Sequence, residues 1–273
     1  MEEDIMQKKG ISILRALGIA AMIFLLQIIL SIPFQVINVI LLELGFSKIL
    51  LYINVASDIL INIVIIFIFV KIFRRNQEFK FKVKYKPSIK ECLCVLLFLG
   101  AHLLIFSNTI GILIEKIEVS KWVVEAFDKI LIDPVIAFMS LCVTAPVFEE
   151  LIYRGIILEK LSKRYNMGVS IVVSAVIFGL IHANLHQGVN AFFIGLILGF
   201  IYIKTNSLLL CMFGHFANNF LGFISFMVVS DNVTDTVLEF SMAQFVLGII
   251  LLIVSYRFFN AREDVLELSV SDV

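Results

Sequence analysis

The sequence predicts an all-α, polytopic membrane protein with about eight transmembrane helices. Of its 273 residues, 60% are apolar and only 16% are charged, which is too few polar residues to cover the surface of a soluble domain. Apolar runs of about 18 or more residues recur along the chain, and each is long enough for a helix to cross a bilayer. The formal net charge is +0, so the composition does not favour a nucleic-acid partner.

Eight apolar segments are candidate spans, at residues 11–33, 49–71, 91–113, 134–157, 168–182, 187–203, 207–229 and 241–256. The fifth and sixth are shorter than the roughly 20 residues that a spanning helix needs, so we expect them to be buried or tilted. Pro33 falls where the first span is expected to end, and Pro134 fits the first turn of the fourth. Pro146 predicts a kink or local unwinding inside the fourth span. No internal repeat or linker interrupts the chain, so one membrane domain is expected over residues 1–273.

The distribution of lysine and arginine predicts the orientation. With eight spans, 17 of the 22 basic residues fall on the side of the two termini and 4 on the opposite side, and Arg154 is left inside the membrane. Because an excess of basic residues marks the cytoplasmic side, we expect a multi-pass protein of the cell membrane with both termini cytoplasmic. Glu149 and Arg154 then fall near the cytoplasmic end of the fourth span.

Ionisable side chains inside the spans are candidates for function, because each costs about 2.5–3.5 kcal/mol at the centre of a membrane helix. Glu149 and Glu150 precede Arg154 in the fourth span. Glu150 and Arg154 are four residues apart on one helix face and are expected to pair. Glu149 is then left free for chemistry. The alternative is that both acids lie at a cytoplasmic helix end.

Two further segments contain histidines. His182 ends the fifth segment, and His186 follows it by four residues. Two histidines at this spacing can bind a metal when they share a helix, but the glutamate of H-E-x-x-H is absent, so we favour a role for His182 over a ligand role for His186. His215 and Asn219 lie four residues apart in the seventh span, and this spacing alone favours hydrogen bonds between helices.

Two isolated polar residues lie outside any motif. Asp58 is in the second span and His102 is in the third. We interpret them as structural or accessory residues, which either pair with each other or line a water-filled cavity. Neither interpretation assigns them to a reaction.

Three motifs occur in order in separate membrane segments: E-E-x-x-x-R, F-x-x-x-H and H-x-x-x-N. Together they resemble the CAAX-processing and bacteriocin-processing family of intramembrane proteases (CPBP, or Abi), which includes the type II CAAX prenyl endopeptidases. The resemblance covers residues 134–229, and the earlier spans match only in being apolar. It implies a peptide hydrolase with a catalytic cavity among the helices of the C-terminal half.

The resemblance also implies roles for the residues of the first two motifs. Glu149 and His182 would polarise the attacking water molecule, while Glu150 and Arg154 would support them. Phe178 matches the aromatic position of the second motif and would serve in packing. The substrate would be a peptide or protein, and CAAX-type, bacteriocin and signalling peptides are all compatible with these residues.

The family resemblance changes how the third motif is interpreted. His215 and Asn219 would stabilise the tetrahedral oxyanion rather than only join helices. One glutamate and two histidines can also ligate zinc or another divalent metal. The same residues permit a water molecule that is activated by glutamate without a metal, and we favour this mechanism and assign no cofactor.

The residues leave two other functions open. One is a non-catalytic membrane immunity or partner-binding protein that keeps the same polar core. The other is a transporter whose acids and histidines relay protons. Transporters often contain two related halves, and the sequence shows no such relation between its halves.

Overall fold

The computed structural model describes residues 10–74, 81, 86–229 and 239–261, and within these ranges the elements are all helices. They are α1 Ile13–Glu43, α2 Ser47–Arg74, α3 Ile89–Ser107, α4 Ile110–Ile114, α5 Lys121–Ile130, α6 Pro134–Ser162, α7 Met167–Leu180, α8 Leu185–Thr205, α9 Leu208–Val229 and α10 Met242–Asn260. Seven of these described helices are long and apolar enough to cross a membrane: α1, α2, α3, α6, α8, α9 and α10. The predicted all-α membrane fold is therefore confirmed.

Two clusters of buried apolar side chains hold the helices together. The first joins α1 and α2 to α6 and α7, and it includes Ile23, Ile65 and Ile156. The second joins α3, α8, α9 and α10, and it includes Phe98 and Leu198. Helix α6 contributes to both clusters. The helix that carries the first motif is therefore packed from two sides.

Helix α1 continues past the point where the sequence predicts its end. It has 31 residues and contains Pro33, so the expectation that Pro33 ends the first span is wrong. No charged residue lies between Arg15 and Glu43, and a predominantly apolar run favours helix throughout because lipid offers the backbone no other hydrogen-bond partner. Helix α8 is also longer than predicted, at 21 residues, whereas α7 has only 14.

The third span ends earlier than the sequence predicts. Helix α3 stops at Ser107, and the short helix α4 follows. The buried side chain of Asn108 donates from Nδ2 to the carbonyl oxygen of Leu104 and to Gln244. Its Oδ1 accepts a hydrogen bond from the backbone N–H of Ser241. An asparagine that competes for backbone groups favours a helix end, and here it also joins α3 to the start of α10.

Helix α6 is not a uniform α-helix. It widens into π-helical turns over Phe138–Thr144 and again over Tyr153–Leu158. The first widened segment ends two residues before Pro146, whose ring would clash with a carbonyl one α-helical turn earlier. The local unwinding predicted at Pro146 takes this form. Because α6 continues to Ser162, Glu149 lies near the middle of this helix. Its distance from the cytoplasmic face of the membrane stays a prediction.

Helices α7 and α8 approach each other at two glycines. A Cβ on Gly179 would lie 2.7 Å from the carbonyl oxygen of Gly188, and a Cβ on Gly188 would lie 2.9 Å from that of Gly179. Only residues without a side chain permit this approach. The chain turns between the helices at Ala183, whose φ of 53° is in the left-handed region and costs an L-residue about 1–2 kcal/mol. This contact positions the turn that carries His182.

Gly179→Ala is expected to lower thermal stability because the added methyl group forces the two backbones apart, and overpacking costs about 1–3 kcal/mol. Gly222→Ala is the matched control, since a Cβ there meets nothing within 4 Å. Unfolding can be followed with a thiol-reactive dye, because Cys142 and Cys211 are fully buried in the folded chain. An unchanged unfolding temperature in Gly179→Ala would contradict the close contact.

Candidate functional site

Glu150 on α6 is completely buried and accepts hydrogen bonds from two other motif residues. Arg154 donates from Nη1 to Glu150 Oε1 at 2.7 Å, and only 1% of Arg154 is exposed. His215 on α9 donates from Nδ1 to the same oxygen at 2.8 Å. The ion pair that the spacing of four residues predicts is therefore confirmed, and it is extended by a histidine from another helix.

The guanidinium of Arg154 connects α6 to α7 and α8. Its Nη2 donates to the carbonyl oxygen of Gly195 at 3.3 Å. Its Cζ lies 4.7 Å from the centre of the Phe178 ring, an arrangement in which the ring face attracts the cation. A Cβ on Gly195 would lie 3.0 Å from Ala175, so the absence of a side chain lets α8 pack close to α7. Arg154 thus fixes the relative position of three helices.

The ring of Phe178 lies between the motifs. It is buried and makes edge-to-face contacts with the imidazoles of His182 and His215, at centroid distances of 5.1 and 5.6 Å. It also packs against Tyr153 at 5.0 Å. The packing role that the resemblance implies is consistent with these contacts, which set the spacing of the two histidines.

His182 lies in the turn after α7, since this helix ends at Leu180 and not at the histidine as predicted. Its Nδ1 is 2.9 Å from the carbonyl oxygen of Phe178. A carbonyl oxygen only accepts, so Nδ1 donates in this contact, and Nε2 is the ring nitrogen that the bond leaves unused. His186 lies in the first turn of α8, beyond the bend at Ala183. Metal binding by two histidines at this spacing requires that both lie on one helix. His182 and His186 do not share a helix.

Glu149 and His182 line the same cavity, which has a volume of about 260 Å³. The cavity is bounded by α1, α2, α6 and the turn after α7. Glu149 Oε2 is buried and has no hydrogen-bond partner among the residues that the structure describes. Nε2 of His215 is 3.8 Å from this oxygen. The Glu149 side chain, which is 26% exposed, and the His182 imidazole thus lie at one cavity.

Asn219 lies one turn beyond His215 on α9 and also contacts α6. It donates from Nδ2 to the carbonyl oxygen of Leu141 at 2.8 Å, within the π-helical segment Phe138–Thr144. Its Oδ1 accepts from Asn218 at 3.0 Å. One N–H of Asn219 thus holds the widened part of α6, and the amide has a second N–H that these contacts do not use.

A metal site is not formed by these residues in the arrangement described. Within residues 10–74, 81, 86–229 and 239–261, no group of three or more His, Cys, Asp or Glu side chains could hold a metal ion. A zinc ion bound jointly by Glu149, His182 and His215 therefore does not fit the described geometry. We assign no reaction step to a metal.

The two isolated polar residues do not pair with each other. His102 forms a hydrogen bond with the side chain of Asn190 at 2.9 Å and packs against Phe106 and Phe193. Asp58 is exposed on α2. The suggested pairing of Asp58 with His102 is wrong, because α2 and α3 pack into different apolar clusters and His102 has a partner on α8.

Two amides at the cavity belong to none of the motifs. Gln27 on α1 donates to Asn62 on α2 at 3.3 Å, and both residues line the cavity. Polar residues in membrane helices are rare and often functional. Both helices carry other polar residues, among them Asn38 on α1 and Asp58 on α2, so the sequence alone does not single out this pair.

The segment that carries the motifs is similar to known membrane peptidases. The family model described as type II CAAX prenyl endopeptidase, Rce1-like, matches residues 131–221. A curated relative from Bacillus subtilis (strain 168), named "Putative membrane peptidase YdiL", is 31% identical over 77 residues, which are 28% of this chain and 32% of the relative. The match thus spans about a third of that relative's length. No solved structure matches the chain. The resemblance that the three motifs predict is confirmed over this segment.

Proposed function

We propose that this membrane protein is an endopeptidase in which Glu149 and His182 activate a water molecule for hydrolysis of a peptide bond. The observation that carries the proposal is their shared cavity. The Glu149 side chain is partly exposed there, and when the His182 ring is neutral, with its proton on Nδ1 facing the Phe178 carbonyl, Nε2 presents a lone pair. When two acceptors each take one O–H of a water molecule, a lone pair on its oxygen remains to attack a carbonyl carbon.

The reaction then follows in two steps. The water oxygen bonds to the carbonyl carbon, Glu149 accepts the proton, and the π electrons of the carbonyl move to its oxygen. When this electron pair returns, the C–N bond breaks and Glu149 transfers the proton to the departing amine. General-base assistance contributes roughly 10²–10⁴ in rate. His182, whose ring is fixed by its bond to the Phe178 carbonyl, orients the water molecule.

His215 and Asn219 are assigned to the oxyanion. Glu150 holds the His215 ring through Nδ1, and the other ring nitrogen, Nε2, lies 3.8 Å from Glu149 Oε2 and so reaches the same part of the site. Nε2 donates to the oxyanion when the ring carries a second proton. Asn219 supplies the N–H that is not bound to Leu141. One well-placed donor is worth about 10²–10³ in rate.

The proposal includes an orientation and a substrate class. Both termini face the cytoplasm, as the excess of basic residues on that side predicts. Glu149 is about 20 Å from either end of α6, at 1.5 Å per residue, which supports hydrolysis at membrane depth. The similarity to peptidases over residues 131–221 supports a peptide or protein substrate. CAAX-type, bacteriocin and signalling peptides are the classes to compare.

The alternative is a non-catalytic membrane immunity or partner-binding protein that keeps the same polar core. The contacts of Glu150 with Arg154 and His215 favour it, because stability alone would explain them. It leaves unexplained why the partly exposed carboxylate of Glu149 lines the same cavity as His182. The peptidase accounts for both features.

Cleavage can be tested with the purified full-length protein in nanodiscs. The substrates are a pool of quenched fluorogenic peptides with randomised central positions, together with prenylated and unprenylated CAAX sequences. We expect cleavage of a subset, with the products identified by mass spectrometry. We also expect a strong chelator to leave the rate unchanged, since the described residues form no three-ligand group. A lack of any product would contradict the proposed activity, and loss of cleavage on chelation with recovery on adding zinc would contradict its metal-free mechanism.

A further inference from the structure

The N-terminal helices supply a polar wall to the cavity. Gln27 lines it from α1 and Asn62 lines it from α2, whereas Glu149 and His182 line it from α6 and from the turn after α7. Both amides are half-buried, and both lie outside the segment that matches the peptidase family. The cavity is therefore completed by helices that carry none of the motifs.

The hydrogen bonds of the two amides leave part of their capacity unused. Gln27 donates from Nε2 to Asn62 Oδ1 at 3.3 Å, and Asn62 donates from Nδ2 to the carbonyl oxygen of Asp58 at 2.9 Å. An amide group has two N–H donors and one acceptor oxygen. Gln27 Oε1 and one N–H of each amide thus have no partner within the described residues. The pair offers an acceptor and two donors at the cavity.

Apolar packing fixes the position of this pair. Ala20 and Ile23 lie on the same face of α1 as Gln27, seven and four residues before it, and both are buried in the cluster that joins α1 to α6 and α7. Ile61, which precedes Asn62 on α2, is buried in the same cluster. The amides are therefore held against the helices that carry the motifs.

The chemistry of this wall suits the backbone of a peptide. A peptide in an apolar cavity needs partners for its N–H and C=O groups, because each unpaired group costs several kcal/mol. An extended peptide presents donors and acceptors alternately, and a pair of amides can bind both. The cavity is otherwise lined mainly by apolar side chains, among them Ile23, Phe24, Phe148 and Ile152. These can pack against an apolar side chain of the bound peptide.

We propose that Gln27 and Asn62 bind the backbone of an extended substrate peptide beside the bond that is cleaved. The neighbouring apolar lining receives an apolar side chain of that peptide. This inference rests on the proposed function and defines its substrate, which is an extended polypeptide segment with an apolar residue next to the cleaved bond. Recognition is thus assigned to α1 and α2, and chemistry to α6, α7 and α9.

The test compares two double variants of the same helix pair. Gln27→Met with Asn62→Leu replaces both amides by apolar groups of similar size, and removing both partners of a hydrogen bond is nearly neutral for stability. Asn38→Leu with Asn54→Leu is the matched control, because Asn38 donates to Asn54 between the same two helices. Asn38 lies 11 residues beyond Gln27 on α1, or about 16 Å away, and does not line the cavity.

Binding is measured by fluorescence anisotropy in full-length protein that carries Glu149→Gln, with fluorescein-labelled peptides from the pool described above. The Gln27→Met, Asn62→Leu variant should bind about tenfold more weakly, which corresponds to about 1.4 kcal/mol, and the control should bind like the parent. A set of peptides with single N-methylated backbone amides adds a second comparison. One methylated position should weaken binding to the parent about tenfold and should weaken binding to the variant much less, because the contact is already lost there.

In the active chain, the same double variant should raise KM about tenfold and change kcat less than about twofold. The inference would be overturned if the parent and the double variant bound the peptide equally well, or if N-methylation weakened binding to both by the same factor. In either case, cleavage by the parent would leave the proposed function standing. Amide-dependent binding without cleavage would support peptide binding by Gln27 and Asn62, and it would overturn the peptidase together with the position beside a cleaved bond. If no peptide binds the parent, the inference fails.

Discussion

Glu149→Gln is expected to slow peptide cleavage by about 10³-fold or more while the protein still folds. The two side chains have nearly the same size, but the amide nitrogen that replaces one carboxylate oxygen cannot take a proton from water, and general-base assistance is worth roughly 10²–10⁴. Glu149 Oε2 has no hydrogen-bond partner in the described structure. The substitution therefore removes the proposed base without breaking a described hydrogen bond of that oxygen.

The measurement is kcat/KM on a peptide that the parent cleaves, with the unfolding temperature recorded on the same preparations. Glu125→Gln is the matched control, since it makes the same chemical change at an exposed position on α5. The control should keep both the rate and the unfolding temperature of the parent. Cleavage at the parental rate by folded Glu149→Gln would mean that another group activates the water molecule.

Arg154→Met is expected to produce the largest loss of stability among the site variants. Removing one partner of a buried ion pair costs about 3–5 kcal/mol, because the remaining charge is left buried and unpaired. Glu150 is completely buried, and it would lose its strongest partner. The variant would also lose the bond to the Gly195 carbonyl and the contact with the Phe178 ring. A marked fall in unfolding temperature and in folded yield should follow.

A double variant separates the cost of the unpaired charge from the loss of packing. Arg154→Met with Glu150→Leu removes both charges, and replacing a buried ion pair by apolar side chains is often neutral for stability. We expect the double variant to unfold at a higher temperature than Arg154→Met alone, but to cleave poorly, since His215 loses the acceptor for Nδ1. Arg257→Met, at an exposed position on α10, is the control. If Arg154→Met unfolds at the same temperature as this control, the buried ion pair contributes little to the stability of the fold.

The existence of the spans follows from hydropathy, but their ends do not. An apolar run predicts a helix in lipid because the backbone must form its hydrogen bonds internally. The same rule explains why α1 passes through Pro33, where a soluble helix would be expected to stop. The end of α3 depends instead on contacts of Asn108 with Gln244 and Ser241. These residues are more than 130 positions away, so no local pattern marks that end.

The sequence predicted the contacts of some motif residues but not those of others. The pair of Glu150 and Arg154 follows from helical spacing, since side chains four residues apart share a face. The bond from His215 to Glu150 joins residues 65 positions apart, and the sequence alone favours a simple helix contact for His215. The roles of His215 and Asn219 come from the family resemblance and stay predictions. Gln27 and Asn62 carry no motif, and only the packing of α1 and α2 against α6 brings them to the cavity.

By itself, the sequence determined that the chain is a multi-pass α-helical membrane protein with an ion pair on α6, because hydropathy and helical periodicity act over one or a few turns. The tertiary structure alone decided which nitrogen of His182 donates to the Phe178 carbonyl, that Glu149 shares its cavity with this histidine, and that two N-terminal amides complete the wall. Each of these depends on distances between helices that are remote in sequence. Such distances are set by side-chain packing and by close contacts between glycines, which no local pattern encodes.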